Sequence, residues 1–338
     1  MRCLFLNSHY IDFMNHHYEK HSSLENAPYS EQKASLNATF FGDGDLYTEG
    51  IKAAGWEADE LIINCVQLQS TWARENGYNG DDIMFEQIRR YAPDVVYTQG
   101  IWAISHETKK ELGHCVKLFV AQTAMRMNTF GRSQYDAVFT AVPQYVDKFR
   151  EAGVNAFYLG LAFDPRVLEI VGPRERDYPV TFVGSISGNH EMRRKVIERL
   201  AAIGIDCWGP GDYGLGNSHN GSAWGLDMFE ILCRSRITVN CHIDFVKPYG
   251  GNMRLYEGTG CGALMVTDDL ANLGELFELG KEVVAYDSPE GCLNAVSHYM
   301  DHPDEAAEIA KRGQERTLRD HTYIKRMEYV AGILEGML

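Results

Sequence analysis

The amino-acid sequence predicts an α/β protein made of two similar halves, each a mainly parallel sheet with helices on both faces. Short apolar runs of strand length alternate with stretches of helical periodicity along nearly the whole chain, and this alternation is typical of parallel sheets. The same alternation starts again near residue 170. We therefore expect a first domain over residues 1–168, a second over 169–320, and a terminal helix over 321–338 that packs back toward the first domain.

The first half begins with a short strand and then departs from the alternation. Residues 7–41 are polar and rich in His, Ser, Asn and Tyr; this length is unusual for a connection and predicts a functional loop or short helices. Asp45 is expected to cap the helix that follows, and Gly55 to end it. The strands are predicted at residues 3–6, 61–63, 95–97, 116–120, 137–140 and 157–159. The helices are predicted at residues 46–54, 81–91, 106–113 and 143–153.

The second half repeats this order of elements. Its strands are predicted at residues 180–183, 205–208, 237–239, 263–266 and 283–286. Its helices are predicted at residues 191–203, 226–235, 253–259, 289–300, 303–318 and 323–337. Because ligands of open parallel sheets bind at the carboxyl ends of the strands, functional residues are expected on the loops that follow strands.

Length, composition and charge exclude several kinds of protein. With 338 residues, 45% of them apolar, the chain is long enough to bury a large core. The net charge of −15 disfavours broad surfaces for nucleic acid or anionic lipid. No apolar run reaches the length of about 18 residues that spans a bilayer, and the first residues fit a strand better than a signal segment. The eight cysteines are scattered without a CxxC pair, so we expect reduced thiols in a cytoplasmic protein.

The segment GGNMRLYEGTGCGALMVTDD carries the most informative functional pattern of the chain. Gly250 and Gly251 lead into Asn252, which is expected to cap a short helix. A glycine pair at a helix N-terminus predicts an anion site, because free amides and the positive end of the helix dipole face the ligand. Arg254 adds a planar fork for phosphate, and Glu257 follows on nearly the same face, where it can accept from sugar hydroxyls. Diphosphate beside ribose is the pattern of a nucleotide-sugar; the alternative is an ordinary helix–turn–strand connection with a surface Arg–Glu pair.

Several segments together resemble one family of enzymes. They are FFGDGDLYTEGIKAAGWEA, YAPDVVYTQG, SQYDAVFTAVPQYVDKFREAG, YPVTFVGSISGNHEMRR, RLYEGTGCGALMVTDD and LGELFELGKEVVAY, and their order and spacing cover nearly the whole chain. The sequence resembles the GT-B glycosyltransferases and, within them, the CgeB-like group named after a spore-maturation protein. The resemblance implies two Rossmann-like domains whose parallel sheets face each other across a cleft. It also implies a nucleotide-sugar donor, expected to be a UDP-sugar, held by the second domain without a metal or another cofactor.

The resemblance assigns donor-binding roles to individual residues. Glu257 matches the glutamate that contacts the donor ribose. Tyr249 stands where many retaining members carry a second glutamate near the donor sugar, which leaves the stereochemistry, inverting or retaining, undecided. Arg193, or its neighbour Arg194, matches a phosphate-facing loop of the second half. The residues expected to contact the donor are Gly184, Ser185, Arg193, Tyr249, Gly250, Gly251, Asn252, Arg254 and Glu257.

The chemistry of glycosyl transfer points to a few catalytic candidates. Negative charge builds up on the departing diphosphate, and Arg254 is the side chain expected to stabilise it. His9 follows the first strand and is the expected base for an acceptor hydroxyl, with Asp12 as a rival and an ordinary loop histidine as the alternative. Gln99 and Gln122 also follow strands, and they either bind sugar hydroxyls or cap strand ends.

Two patterns in the sequence are typical of metal sites, but neither is expected to bind a metal. Asp43-Gly44-Asp45 spells the DxD motif of metal-dependent GT-A glycosyltransferases, but Asp45 is better placed as a helix cap. His17 and His21 suit one helix face, yet no nearby carboxylate or cysteine completes a ligand set. We therefore predict no metal site.

The sequence thus predicts a glycosyltransferase that moves a sugar from a nucleotide-sugar to an acceptor that it does not identify. Two alternatives stay open. A nucleotide-sugar epimerase of the same architecture would act without an acceptor, and a non-catalytic module would bind the nucleotide or sugar without turning it over. The long polar stretch over residues 7–41 favours the transferase, because an epimerase needs no loop for a second substrate.

Overall fold

A computed structural model describes residues 1–124, 134–188, 190–211, 214 and 218–338. Within these residues the chain forms two compact units. Unit 1 comprises Met1–Leu159 together with Ile324–Leu338, and unit 2 comprises Gly160–Tyr323. The boundaries expected from the sequence are 168 and 320.

Unit 1 is built on a sheet that has six strands among the described residues, and every pairing is parallel. The strands are β1 (Arg2–Asn7), β2 (Glu57–Ile62), β3 (Val95–Thr98), β4 (Leu118–Gln122), β5 (Ala137–Thr140) and β6 (Ala156–Tyr158), in the spatial order β2-β1-β3-β4-β5-β6. The helices are α1 (Ile11–Lys20), α2 (Tyr29–Asn37), α3 (Leu46–Ala53), α4 (Val66–Glu75), α5 (Ile83–Tyr91), α6 (His106–Leu112) and α7 (Pro143–Glu151).

The polar stretch after β1 is folded into short helices, which is one of the two outcomes expected from its length. Helices α1 and α2 flank a 3-10 turn over Ser22–Asn26. Tyr18 donates to Gln32 Oε1 at 2.8 Å, and Gln32 donates in turn to Thr71 at 3.1 Å. These buried bonds tie α1, α2 and α4 together, so the stretch is part of the packed unit.

Unit 2 contains a second parallel sheet, with five strands among the described residues. The strands are β7 (Tyr178–Val183), β8 (Asp206–Trp208), β9 (Ser235–Asn240), β10 (Leu264–Asp268) and β11 (Val284–Tyr286), in the spatial order β11-β10-β9-β7-β8. The remaining helices are α8 (Arg166–Val171), α9 (Glu191–Leu200), α10 (Leu226–Arg234), α11 (Met253–Gly260), α12 (Leu273–Leu276), α13 (Pro289–Asp301), α14 (Pro303–Asp320) and α15 (Tyr323–Glu335). Helix α15 belongs to unit 1 from Ile324 onward, and Trp56 Nε1 of that unit donates to Glu335 at 3.1 Å.

Apolar burial explains how unit 2 holds its sheet. Helices α9, α13 and α14 pack on the strands through one cluster of buried side chains, which includes Val196, Leu200, Val296 and Ile309 from the helices and Val180, Ile237, Val239, Leu264 and Val266 from the strands. Burying each such side chain is worth roughly 1.5–3 kcal/mol. In the part of the chain that the structure describes, no helix is long and apolar enough to cross a membrane.

Both sheets share one topological feature that positions ligands. In unit 1 the first strand, β1, lies between β2 and β3, and in unit 2 the first strand, β7, lies between β8 and β9. The order in which the chain adds strands to the sheet reverses at this point. The loops that follow the two neighbouring strands therefore run in opposite directions and leave a crevice at the carboxyl ends of the strands. Each unit therefore has a switch point where a ligand is expected.

Candidate functional site

The residues that the sequence predicted for the donor lie at the switch point of unit 2. Gly184 and Ser185 follow β7 directly, and Tyr249 to Asn252 lie on the loop after the neighbouring strand β9. Helices α9 and α11, which start after these two loops, carry Arg193, Arg254 and Glu257. Gly184, Ser185 and Tyr249 are partly exposed. Parallel topology thus brings segments about 65 residues apart in the chain to one edge of the sheet.

Arg193 fastens the two loops to each other. Its Nε and Nη2 donate to the main-chain oxygen of Cys241 at 3.1 and 2.6 Å, and its Nη1 donates to that of Ser185 at 2.6 Å. The side chain is buried and lies over the ring of Phe182, 5.6 Å from its centroid. Arg193 therefore holds the loop after β7 in place through the main-chain oxygen of Ser185. A direct contact between Arg193 and a phosphate stays a prediction. Arg194 is exposed on the same helix.

Arg254 and Glu257 form a buried ion pair. Arg254 Nη1 lies 2.8 Å from Glu257 Oε2, and the side chains are 15% and 7% exposed. Arg254 Nε donates to the main-chain oxygen of Val183, the last residue of β7, at 2.8 Å. Burial raises the pKa of the Glu257 carboxyl, while the charge of Arg254 acts in the opposite direction. The alternative of a surface Arg–Glu pair is wrong, because both groups are withdrawn from solvent at the end of β7.

The glycine loop is held by side chains that the sequence analysis did not single out. Gly250 N donates to Asn272 Oδ1 at 2.8 Å, and Asn272 Nδ2 donates back to the Gly250 oxygen at 2.8 Å. Gly251 N donates to His242 Nε2 at 2.9 Å. The expectation that the amides of Gly250 and Gly251 are free for an anion is therefore wrong in this structure: both are already donated to buried side chains.

His242 is itself fixed by a buried carboxylate. Its Nδ1 lies 2.7 Å from Asp268 Oδ1, and its main-chain amide donates to the same oxygen at 3.0 Å. Since Nε2 accepts from Gly251, the ring carries its proton on Nδ1 and is neutral in this arrangement. Burial acts to raise the pKa of Asp268, but the hydrogen bonds from the ring and the main chain of His242 outweigh it and hold that pKa below its ordinary value.

The predicted N-cap of α11 is confirmed. Asn252 Oδ1 accepts from Leu255 N at 3.3 Å, and the side-chain amide pairs with that of Asn240 through bonds of 3.0 and 2.9 Å. The amides of Met253 and Arg254 lie in the first turn, where they have no partner within the helix. If an anion binds at this end of α11, we expect it to meet these amides and the positive end of the helix dipole, and not the glycine amides.

In unit 1, His9 lies after β1 as expected, but it is enclosed. Asn64 clamps its main chain through bonds of 3.0 and 2.8 Å, and the ring packs against Phe13 and Phe41. Neither ring nitrogen has a hydrogen-bond partner among the described residues, and both are shielded from solvent. Burial, with the nearby charge of His17, lowers the pKa of His9 to about 4. The imidazole is therefore neutral at pH 7 but a weak base, and its catalytic role stays a prediction.

The other polar candidates of unit 1 have distinct environments. Gln122 is committed to structure, because its Oε1 accepts from Tyr97 and its Nε2 donates to Tyr47, each at 2.8 Å. Asp45 occupies the N-cap position of α3 without a side-chain capping bond. His17 and His21 have ring centroids 4.9 Å apart, and the described residues contain no group of three His, Cys, Asp or Glu side chains that could hold a metal.

The chain is similar to known proteins in sequence over part of its length and in fold over nearly all of it. The family model described as "Glycosyl transferase-like" matches residues 190–332, which lie mostly in unit 2. No curated protein sequence matches the chain. Solved structures match it over nearly its whole length: sucrose-phosphate synthase from Thermosynechococcus elongatus has 10% identity and a TM-score of 0.60, covering 100% of this chain and 99% of that one.

Two further structures are similar to the same extent. HepE of Anabaena in complex with UDP and glucose has 12% identity and a TM-score of 0.63, covering 99% of this chain and 100% of that one. A glycosyltransferase from Rickettsia africae has 10% identity and a TM-score of 0.61, covering 98% and 97%. At such identities the likeness establishes the fold, which is GT-B: two α/β domains with parallel sheets. Over residues 190–332 the chain matches a glycosyltransferase family, and its fold is the one that GT-B glycosyltransferases have.

Proposed function

We propose that the protein transfers a sugar from a nucleotide-sugar, with a UDP-sugar as the donor, and that it is of the CgeB-like kind. HepE, which has the same fold, is described in complex with UDP and with UDP-glucose. The donor diphosphate is assigned to the first turn of α11 and the ribose hydroxyls to Glu257. The acceptor is assigned to unit 1. We also propose that the protein is cytoplasmic, and this rests only on its composition and its scattered cysteines.

The buried Arg254–Glu257 pair at the switch point of unit 2 carries this proposal. A buried ion pair is weak evidence of stabilisation, since its desolvation cost offsets most of the attraction. The presence of a buried ion pair here, despite its desolvation cost, is better explained by a ligand that needs both charges at one place. A nucleotide-sugar presents phosphate oxygens and ribose hydroxyls side by side, which suits a guanidinium and a carboxylate 2.8 Å apart.

Catalysis on this scheme rests on charge stabilisation by protein groups. As the bond from the anomeric carbon to the diphosphate breaks, the negative charge on the leaving group grows. The positive charge of Arg254 and the first-turn amides of α11 stabilise that charge more strongly in the transition state than in the ground state. We therefore propose metal-independent transfer, which predicts full activity after treatment with EDTA.

A nucleotide panel tests the donor assignment. Thermal unfolding is measured with UDP, GDP, TDP, CMP and ADP without added metal. A ligand at a hundred times its dissociation constant stabilises the folded state by about 2.7 kcal/mol, which raises the melting temperature by an easily measured amount. We expect a selective response to UDP. A response to none of the five nucleotides would overturn the proposed function.

A matched pair of variants ties the response to Glu257. Glu257→Gln is expected to weaken UDP binding at least tenfold while the apo protein stays folded. Glu308→Gln removes the carboxylate of an exposed Arg–Glu pair on α14, with 2.9 Å between Arg312 and Glu308, and is expected to leave UDP binding unchanged. Equal affinities in the two variants would remove the ribose assignment. Conversion of a UDP-sugar to its epimer without any acceptor, detected by NMR, would favour the epimerase.

A further inference from the structure

The loop that carries Asp43 lies at the switch point of unit 1. Asn7, the last residue of β1, donates from its side-chain amide to the main-chain oxygen of Gly44 at 2.6 Å. Gln99, the first residue after β3, faces the Asp43 carboxyl with its own amide. Because β1 and β3 are neighbours in the sheet, the carboxyl ends of both strands meet at Asp43. This is the position where an open α/β sheet binds its ligand.

Asp43 is more accessible than the histidine beside it. A Cβ built on Gly42 would lie 3.2 Å from His9 Nδ1, so the loop runs directly against the His9 ring. The two ring nitrogens of His9 are shielded from solvent, whereas Asp43 is partly exposed. Asp43 is therefore the better placed of the two to meet a hydroxyl group from outside.

The amide of Gln99 can serve both protonation states of Asp43. With its nitrogen turned toward the carboxylate, Gln99 donates to Asp43 Oδ1 at 2.9 Å and also to Oδ2. With the amide turned the other way, its oxygen can accept the proton of a neutral Asp43 carboxyl group. A group that alternates between base and acid needs a partner of this kind, because neither state is then left without a hydrogen bond.

The surroundings of Asp43 favour a proton exchange near neutral pH. Burial raises the pKa of Asp43 to about 7. The ionisable groups that face it are the phenols of Tyr47 on α3 and Tyr97 on β3, and His9 after β1. Burial raises the pKa of both phenols and lowers that of His9 to about 4, so these three side chains stay neutral at pH 7. Of these four side chains, Asp43 is therefore the one whose charge changes near pH 7.

We propose that Asp43 is the acid–base residue for the acceptor hydroxyl, with Gln99 as its hydrogen-bonding partner. The carboxylate takes the hydroxyl proton while the hydroxyl oxygen forms its bond to the anomeric carbon of the donor sugar. The bond from that carbon to the diphosphate breaks, and the diphosphate leaves with the electron pair. The acceptor is thus a hydroxyl compound bound at the switch point of unit 1. This inference rests on the proposed function.

The test combines turnover with a titration that needs no substrate. Asp43→Asn keeps the shape of the side chain but cannot take a proton. Asp45→Asn, two residues away at the N-cap position of α3, is the control because it makes the same change in the same loop and removes no side-chain capping bond. UDP release from UDP-glucose with water as acceptor is measured from pH 5 to 9. Infrared difference titration of wild type against Asp43→Asn isolates the Asp43 carboxyl band.

The expected results distinguish this inference from the proposed function. Asp43→Asn should lower UDP release by about 10²–10⁴-fold, lose the rise in rate through pH 7, and bind UDP as tightly as wild type, while Asp45→Asn behaves as wild type. A carboxyl band that titrates below pH 5, or an Asp43→Asn variant with wild-type turnover and pH profile, would overturn the role of Asp43 and leave the donor site intact. Failure of the wild type to bind any nucleotide would instead overturn the proposed function.

Discussion

His242 Nδ1 lies 2.7 Å from Asp268 Oδ1 at the ends of β9 and β10, and the opposite nitrogen of the same ring accepts the amide of Gly251 at 2.9 Å. One neutral imidazole therefore joins a buried carboxylate to the loop that leads into α11. The position of that loop sets where the first-turn amides of α11 stand. We infer that the proposed donor site depends on His242 through the loop and not through direct contact.

Replacement of His242 by alanine should weaken both the fold and the donor site. It leaves the Asp268 carboxylate and the Gly251 amide buried without this partner, and each such loss costs about 1–3 kcal/mol. We expect His242→Ala to lower the free energy of unfolding by about 2–5 kcal/mol, measured with urea, and to weaken UDP binding at least tenfold. His242→Gln, which can still accept from Gly251, should recover part of the affinity.

An exposed pair provides the control for this prediction. His298 on α13 lies 3.2 Å from Glu305, with both side chains about half exposed. Because exposed pairs contribute little, His298→Ala should change the free energy of unfolding by less than about 0.5 kcal/mol and leave UDP binding unchanged. If His242→Ala also left stability and UDP binding nearly unchanged, the hydrogen bonds from Asp268 through His242 to the loop would not support the fold or the donor site.

The sequence predicted the type and order of most elements because parallel strands are apolar throughout and their helices are amphipathic. It missed the ends of strands where polar side chains are buried. Strand β10 was expected to end at Val266 but continues through Thr267 and Asp268, which are 0% and 4% exposed. Helix α4 was missed for a related reason: its buried positions include Gln69 and Thr71, so hydrophobic periodicity does not mark them.

The candidate site could be predicted only in part. Local pattern was enough to bring together Asn252, Arg254 and Glu257, since a cap and an i, i+3 pair depend on nearby residues. The partners of the glycine amides depend on strand order, which no local pattern records. Asn272 lies 22 residues beyond Gly250 in the chain and meets it only because β10 lies beside β9.

The loss of stability caused by replacing Arg254 should be partly recovered when the charge of its partner, Glu257, is also removed. Arg254→Ala leaves a buried carboxylate uncompensated, which costs about 3–5 kcal/mol. The double variant with Glu257→Gln should regain at least about 1 kcal/mol of that loss in a double-mutant cycle. The exposed Arg312–Glu308 pair on α14 is the matched control, and its coupling should stay below about 0.5 kcal/mol. Strict additivity at Arg254 and Glu257 would contradict the buried pair.

The same variant has a kinetic signature. If Arg254 stabilises the leaving diphosphate, Arg254→Ala should lower kcat more than it weakens UDP-sugar binding. The measurement is a set of initial rates over donor concentration beside a direct binding titration. An equal loss in both quantities would reassign Arg254 to ground-state donor binding.

Gly250 should not tolerate a side chain. A Cβ at this position would lie 2.1 Å from Leu270 Cδ1 and 2.9 Å from the His242 ring, so the loop must move. We expect Gly250→Ala to cost about 1–3 kcal/mol of stability and to weaken UDP binding more than tenfold. Gly274 in α12 has no atom within 4 Å of an added Cβ, and Gly274→Ala should be neutral or stabilise by about 0.4–1 kcal/mol. Wild-type UDP affinity in Gly250→Ala would show that the loop geometry does not matter.

His9 should make unit 1 sensitive to acid. Burial, with the nearby charge of His17, lowers its pKa in the folded protein to about 4, whereas an unfolded histidine titrates near pH 6.5. The fold therefore favours the neutral imidazole. The stability that this contributes is present above about pH 6.5 and declines as the pH falls toward 4, by up to about 3 kcal/mol.

Urea unfolding at pH 7 and pH 5 measures this loss, and His9→Gln should reduce the difference between the two pH values. His17, whose pKa is also lowered to about 4 by burial and by the charges of its neighbours, accounts for part of the remainder. His302→Gln, an exposed histidine at the end of α13, should leave the pH dependence unchanged. If His9→Gln retained the full wild-type loss on acidification, the neutral buried state of His9 would be wrong; if it also retained full transferase activity, His9 would be excluded as the base.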